Sequence, residues 1–398
     1  MKEEAISVAF VLPCLNEAAT LEKCVRRAKE ALVEIQGRFG LSGEVVVADN
    51  GSTDGSQEIA RSAGARVVDV AERGYGAALI AGFRAAKSQY LVMGDSDCSY
   101  DFVEAVPMIE KLLNGADLCM GNRFRGGIKP GAMPWKNRYI GNPALSGILR
   151  FLFKTRIGDA HCGLRALTTP ALERLNLSST GMEFASEMLL KSVLLDYKIE
   201  EVPVTLSPDE RGRPPHLNPW RDGMRHLIYM LLLSPSWLFM VPGLALGLFG
   251  LVMMTALLAV GGDELVQIGN LFFGSHWAVL ASAAMIISVQ TIAIGLFAQL
   301  YNYRERIRQP GKRVRAFLNA SRLEYWLLAG LLLIAGGITW ISTITFGWIA
   351  SDYAGLSAMR SMIAAGTMCV IGAQVFFSGF LMSVVSGNRS RHQLAIRA

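Results

Sequence analysis

Apolar positions along this chain follow two regimes. Up to about Leu217 they come in short runs set between amphipathic stretches, and from Trp237 onward in long, nearly unbroken blocks. In the first regime Ile6–Leu15 is almost continuously apolar, as a strand buried on both faces of a parallel sheet must be. Glu44–Ala48, Ala65–Val70, Tyr90–Gly94 and Asp117–Gly121 read as further strands. Helical patterns lie between them: one running to about Gln36 with Asn16-Glu17 as its cap, then Ser56–Ser62, Gly74–Lys87 and Phe102–Leu113. Strands alternating with helices predict βαβ units and a mostly parallel, doubly wound sheet. No internal repeat or low-complexity segment interrupts the pattern.

The second regime contains stretches long enough to cross a bilayer, which takes roughly 20 apolar residues. They are Trp237–Val260, Trp277–Tyr301, Trp326–Phe346 and Met362–Val385, predicting an all-α membrane domain of four helices. Trp and Tyr at several ends suit the interfacial zone. Ser207–Gly223 is rich in Pro and charge and reads as a loop. Arg221–Leu233 has a basic start and an apolar remainder, which suits a helix lying at the lipid surface. The expected organisation is a catalytic domain over 1–217, an interfacial helix over 218–235 and a membrane domain over 236–398.

Composition sharpens this division. Of 398 residues, 52% are hydrophobic, more than an average soluble protein carries, and the formal charge is +6. The basic residues are concentrated. Arg304, Arg306, Arg308, Lys312, Arg313, Arg315 and Arg322 crowd the loop 302–325 between the second and third stretches. The tail has Arg389, Arg391 and Arg397, whereas Gly261–His276 has no Lys or Arg and Gly347–Ser361 has only Arg360. Positive loops stay in the cytoplasm, so the catalytic domain is expected on the cytoplasmic side of the cell (inner) membrane. The opening Met-Lys-Glu-Glu leads into a strand without an apolar signal segment. Cys14, Cys24, Cys98, Cys119, Cys162 and Cys369 form no C-x-x-C pair, and free thiols are expected. His161, His216 and His226 fit no zinc spacing.

Polar residues cluster where strands end: Asn16-Glu17, Asp49-Asn50, Asp95 and Asp97, and Asn122-Arg123. A parallel sheet puts all of these along one edge, where open α/β sheets bind nucleotides. Asp95 and Asp97, in Gly-Asp-Ser-Asp, offer oxygen ligands for Mg²⁺ or Mn²⁺ against a diphosphate and suit ribose hydroxyls. Asp49 suits a base N–H, and Glu17 a ribose or base. Gly74 and Gly76 open a helix with little bulk, so that its N-terminus could face phosphate. A nucleotide-sugar donor has this set of parts.

The motifs Val11-Leu-Pro-Cys-Leu-Asn-Glu17, Val47-Ala-Asp-Asn-Gly-Ser-Thr-Asp54, Gly94-Asp-Ser-Asp97, Gly121-Asn-Arg123 and Asp159-Ala-His-Cys-Gly-Leu-Arg165 resemble, in order, those of family 2 glycosyltransferases. Within these the chain looks like the polyprenyl (dolichyl) phosphate mannose and glucose synthases, over about Ile6–Leu206. The resemblance implies a GT-A fold, a divalent metal and inversion at the anomeric centre. It brings Pro13, Asn16 and Ser96 into the donor set, puts Arg123 and Arg138 on phosphates, and makes Asp159 an acidic residue near the acceptor. It also implies an Arg, Arg211 or Arg213, on the loop approaching the membrane. This chain departs from the pattern at Asn50, where Asp is common, and at His161-Cys162, where Ser or Thr is common. The Gln-x-x-Arg-Trp of processive polymerases is absent.

The expected reaction is transfer of a hexose from UDP-glucose or GDP-mannose to polyprenyl phosphate, with glucose favoured by the resemblance of the Ser207–His216 loop. A lipid monophosphate has its second pKa near about 6, so it is already a nucleophile at neutral pH and needs cations rather than a base. Arg123, Arg138, Arg211 and Arg213 supply them. Membrane lipids are the expected surroundings, a homo-oligomer is left open, and no nucleic-acid partner is expected. One alternative is a transferase acting on another lipid or lipid-linked glycan, whose alcohol would require a general base. Another is a transporter or flippase with a nucleotide-sensing domain. That reading calls for ionisable residues deep in the spans, and the span centres have no Lys, Arg, Asp or Glu.

Overall fold

The computed structural model of the protein describes residues 7–211, 219–260, 264–304, 323–353 and 358–386. Arg213, His216, the basic residues from Arg306 to Arg322 and the tail arginines lie outside the described residues. The chain divides into two compact units, Met1–Met230 and Leu231–Ala398.

The first unit is built on a seven-stranded sheet. Its strands are β1 (Val8–Cys14), β2 (Gly43–Asp49), β3 (Arg66–Asp69), β4 (Tyr90–Met93), β5 (Leu118–Asn122), β6 (Arg165–Thr168) and β7 (Ile199–Pro203). They are ordered β3-β2-β1-β4-β6-β5-β7. β1 pairs parallel with β2 and β4, β2 with β3, and β5 with β7. β6 alone runs the other way, antiparallel to both β4 and β5. Reversing β6 leaves β1, β2, β4 and β5 pointing in one direction. The polar clusters at their carboxyl ends therefore share an edge.

The sheet is mostly parallel because its central strands are apolar on both faces. Val8, Ala9, Phe10, Val11 and Leu12 are each fully buried. Helix α1 (Leu21–Phe39) covers one face with Leu21, Cys24, Val25, Ala28, Ala31 and Ile35, a stripe at helical spacing. Phe10 meets Phe102 edge-on at 5.8 Å beneath it. Helix α1 starts four residues later than the polar pair expected to cap it. Asn16 is held at φ 58°, a left-handed turn conformation, and Thr20 is the N-cap. The stretch Phe102–Leu113 is a short 3₁₀ turn, Phe102–Ala105, followed by α-helix from Val106 to Leu113.

The second unit carries four helices long and apolar enough to cross a membrane: Ser236–Val260, His276–Arg304, Leu323–Ala350 and Met359–Val385. They pack through small residues, as membrane helices do. A Cβ on Gly330 would lie 2.7 Å from the Gly372 carbonyl oxygen, and one on Gly250 would lie 2.7 Å from that of Ala281. The second and fourth helices are joined by Ser282 Oγ and Thr367 Oγ1 at 2.6 Å. Arg360, the one basic residue expected in the last loop, is a buried part of the fourth helix. Its guanidinium donates to the Leu257 and Glu264 carbonyls and to Ser275 Oγ, closing one end of the unit. A small hairpin, Val266–Ile268 with Leu271–Phe273, lies between the first two helices.

Candidate active site

A cavity of about 300 Å³ opens at the carboxyl edge of the sheet. Pro13, Glu17, Gly74, Asp95, Ser96, Asp97 and Arg211, all singled out from the sequence, line it. Asn50, Arg73, Tyr75 and Met182 complete much of the wall.

The acids are held in different ways. Asp97 is buried. Its Oδ1 accepts from the Ser99 amide at 3.0 Å, and its Oδ2 meets Arg211 at 2.9 Å. Arg211 also approaches Glu17 at 3.5 Å, so one guanidinium bridges two carboxylates where negative charge would otherwise accumulate. Asp95 Oδ1 accepts from the Tyr75 hydroxyl at 3.0 Å. Burial, with the neighbouring Asp97 charge, pushes the Asp95 carboxyl up to about 6. Burial also lifts the Tyr75 phenol well above its ordinary value, which keeps it a donor. Gly163 brings the Asp159–Arg165 loop against Asp95, because a Cβ there would lie 2.6 Å from Asp95 Oδ2. The same loop is anchored by the Gly163 amide donating to the Tyr100 hydroxyl at 3.0 Å. Asp95 and Asp97 present carboxylate oxygens to one cavity, the ligand type that a hard divalent cation such as Mg²⁺ or Mn²⁺ takes.

Several residues expected at the site instead support its wall. Asn16 Oδ1 accepts from the Thr53 amide at 2.8 Å and ties the β1 turn to the β2 turn. Ser96 Oγ donates to the Pro13 carbonyl at 2.8 Å, fixing the Asp-Ser-Asp loop to β1. Asp49 is buried, with Oδ2 accepting from the Gly51 and Ser52 amides and from Gln57 Nε2. Burial opposes its charge, yet these donors hold its carboxyl below the usual range. Its Oδ1 has no hydrogen-bond partner among the described residues. Gly76 sits where a Cβ would lie 2.1 Å from the Ser179 carbonyl oxygen, so it serves close packing. Gly74 has φ 140°, and its amide is already given to Asn50 Oδ1 at 2.6 Å. The Ala77 amide goes to the Thr180 carbonyl, so two amides near the start of α2 (Tyr75–Ala85) are taken. Asn50 also donates to the Val70 and Glu72 carbonyls. An aspartate cannot donate, so this bridging pattern belongs to the Asn that departs from the common motif.

Arg123 and Asp159 form a buried pair. Arg123 Nε lies 2.7 Å from Asp159 Oδ2 and Nη2 lies 2.8 Å from Oδ1, while the Arg123 amide donates to Oδ2 at 3.0 Å. Burial would raise the Asp159 carboxyl, but the guanidinium outweighs it and holds the group below its usual range. Arg165, also fully buried, donates to the carbonyls of Cys162, Ala160 and Ala185 and so shapes the loop carrying Asp159. Arg138 does not line the cavity. It stands on the turn Asn137–Gly141, its guanidinium 5.4 Å from the Tyr139 ring centre. A larger depression of about 520 Å³, reaching from Arg125 to Glu201, holds none of the residues singled out from the sequence.

Sequence reasoning passed over Arg73, Tyr75 and Gly163 as functional residues. Arg73 and Tyr75 flank the Gly-x-Gly that drew attention, and Gly163 lies within a quoted motif, so position was the available signal.

Comparison with known proteins identifies the family of the chain. Residues 9–175 match glycosyl transferase family 2, and residues 296–386 match the glycosyltransferase family 2 C-terminal transmembrane region. The chain is 33% identical over 380 residues to the low-salt glycan biosynthesis hexosyltransferase Agl6 of Haloferax volcanii, covering 95% of this chain and 89% of that protein. It is 30% identical over 214 residues to a dolichol-phosphate mannosyltransferase of Pyrococcus furiosus, covering 52% of this chain and 58% of that one. Among solved structures, glucosyl-3-phosphoglycerate synthase of Mycobacterium tuberculosis, in complex with Mn²⁺, UDP and glucosyl-3-phosphoglycerate, aligns with TM-score 0.44 and 24% identity over 57% of this chain and 78% of that one. The chain is a membrane-embedded glycosyltransferase, a member of family 2 with a mostly parallel α/β domain.

Proposed function

We propose that this enzyme moves a hexose from a nucleoside diphosphate sugar to polyprenyl phosphate, with inversion, at the cytoplasmic face of the cell membrane. One observation carries the reading: Asp95, Asp97, Glu17 and Arg211 converge on a single cavity at the edge where an α/β sheet takes nucleotides. The names of relatives, a hexosyltransferase and a dolichol-phosphate mannosyltransferase, support the hexose and the lipid acceptor. Glucose is the favoured sugar and mannose the next.

Asp95 and Asp97 would hold Mg²⁺ or Mn²⁺, which when bound supplies positive charge against the departing diphosphate. Tyr75 keeps Asp95 oriented by its hydroxyl. Asp49, buried behind the wall, keeps an unfilled Oδ1 that would suit a base N–H only if the base reaches past the wall, and Glu17, on the wall itself, suits the ribose. Arg211 exchanges its present carboxylate partners for phosphate oxygens when donor binds, and Arg73 adds a second guanidinium on the wall. Asp159 fixes Arg123 in a single buried orientation, and the pair braces the Asp159–Arg165 loop beside the cavity. Arg138 and Arg213 are proposed to meet the acceptor phosphate. That phosphate attacks without a general base, because it is ionised at neutral pH.

The test uses purified full-length protein, Mn²⁺ and undecaprenyl phosphate, with radiolabelled UDP-glucose, GDP-mannose and UDP-N-acetylglucosamine offered separately. Label from UDP-glucose is expected in the lipid. A rate flat between about pH 7 and 9 supports a phosphate nucleophile. A rate that rises with pH, with label entering only an added alcohol lipid, favours the alternative of another lipid or lipid-linked glycan acceptor. No label in any lipid refutes the proposal.

A further inference from the structure

Beside the carboxylate loop, on its far side from the donor cavity, two thiols face each other. Cys24, on the buried face of α1, and Cys98, the residue after Asp97, have their sulfurs 3.5 Å apart. Cys24 is 1% exposed, whereas Cys98 is half-buried. Both line a second cavity of about 390 Å³, whose wall carries Lys23, Arg27 and Lys129 balanced by Asp101, Asp209 and Glu210. Small oxidants therefore have a route to Cys98 through this cavity. Cys98 holds a left-handed backbone, φ 63°, which is uncommon for any residue but Gly or Asn.

We propose that Cys24 and Cys98 form a reversible disulfide that disables the carboxylate site next to it. The consequence for the site rests on the reading of Asp95 and Asp97 as cation ligands; the cross-link itself does not.

The order of events follows from exposure. The Cys98 thiolate attacks an oxygen of a hydroperoxide, breaking the O–O bond and giving a sulfenic acid and hydroxide. The Cys24 sulfur then attacks the Cys98 sulfur, and the sulfenic oxygen leaves with the thiol proton as water. In sum, two thiols and one hydrogen peroxide give one disulfide and two waters. A dithiol reductant reverses it. Cys98, the more exposed of the two, is the first nucleophile, and the buried Cys24 is the resolving thiol.

Closing the bond brings the sulfurs from 3.5 Å to about 2.05 Å, a movement of about 1.5 Å. Helix α1 is packed along its whole buried stripe, so the loop must absorb most of that shift. The loop is where Asp97 is fixed. Its Oδ1 accepts from the Ser99 amide, its carbonyl accepts from the Glu210 amide at 3.1 Å, and the Ser99 carbonyl accepts from the Ser207 amide at 2.9 Å. Moving Cys98 therefore disturbs the Asp97 carboxylate and the segment that delivers Arg211 together.

The test uses full-length protein in detergent, treated with hydrogen peroxide, then alkylated, digested with trypsin and analysed by mass spectrometry. Binding of Mn²⁺ alone is followed on the same samples by the loss of its free-ion paramagnetic signal. A peptide pair joining Cys24 to Cys98 is expected, with Mn²⁺ affinity lowered about tenfold or more, the loss seen when a metal ligand's supports are removed. Dithiothreitol should restore both. Cys98→Ser and, separately, Cys24→Ala should bind Mn²⁺ before and after peroxide as the reduced wild type does. Oxidation of Cys98 without a link to Cys24 overturns the pair. A cross-linked protein with full Mn²⁺ affinity overturns the disabling step. A reduced protein that ignores Mn²⁺ overturns the cation-ligand reading, and with it the disabling step, while the cross-link is still judged by mass.

Discussion

Replacing Asp159 by Ala would leave the Arg123 guanidinium buried without its carboxylate. The pair is closed to solvent, with Asp159 fully buried and its side chain accepting from Nε, Nη2 and the backbone amide of Arg123. Removing one partner of such a pair costs about 3–5 kcal/mol, because the remaining charge keeps its desolvation penalty without compensation. A domain of this size shifts its melting point by about 2–4 °C per kcal/mol, so the variant should melt about 10 °C below wild type. A thiol-reactive fluorophore reports the melt, since Cys14, Cys24, Cys119 and Cys162 are buried in the first unit. The double variant Arg123→Met/Asp159→Leu removes both charges and should recover much of the loss while remaining inactive, separating stability from transfer. If Asp159→Ala melts within about 2 °C of wild type, the uncompensated-charge argument is wrong.

Asp97→Ala should abolish sugar transfer with expression and membrane insertion intact, and a wild-type rate in that variant would count heavily against the proposed chemistry. Gly163→Ala would drive a methyl to 2.6 Å from Asp95 Oδ2. Its Mn²⁺ affinity should fall about tenfold while the fold, read by circular dichroism, is unchanged; equal affinity would mean Asp95 has room to move. His161 is held down to about 3, first by burial and then by the neighbouring His226. A folded pKa below the unfolded value near about 6.5 means its contribution is complete above that pH and is lost as pH falls toward 3. Between pH 7 and 5 this amounts to about 2 kcal/mol at most, and His161→Gln should flatten the corresponding fall in melting temperature. An unchanged slope in that variant would assign the acid sensitivity elsewhere.

The parts of the fold legible in the sequence were those under a one-dimensional constraint. A bilayer demands long apolar blocks, and the four expected stretches lie within the observed helices. Strands β1, β2, β4 and β5 showed as apolar runs because both faces of a parallel sheet are covered, whereas the edge strand β3, exposed at Arg66 and Asp69, showed through Val67 and Val68. Strands β6 and β7 did not. One begins with the buried Arg165 and the other contains Glu200 and Glu201, so neither carries an apolar run. The cap expected at Asn16-Glu17 failed because Asn16 was needed in a left-handed turn that binds Thr53.

At the site the same division holds. Residue type and place after a strand were enough to select Asp95, Asp97 and Glu17, because an apolar run ending in carboxylates marks the open edge of a sheet. Chain order alone determined that these acids share an edge once the strands run parallel. Which of the polar neighbours faces the cavity and which braces it was decided by tertiary contacts. Asn16, Asp49 and Gly76 brace it, Arg73 and Tyr75 face it, and Arg211 reaches two acids remote in the chain. Periodicity reports the face a residue buries. The partner that side chain meets depends on strand order and loop packing, which contacts between distant segments alone can set.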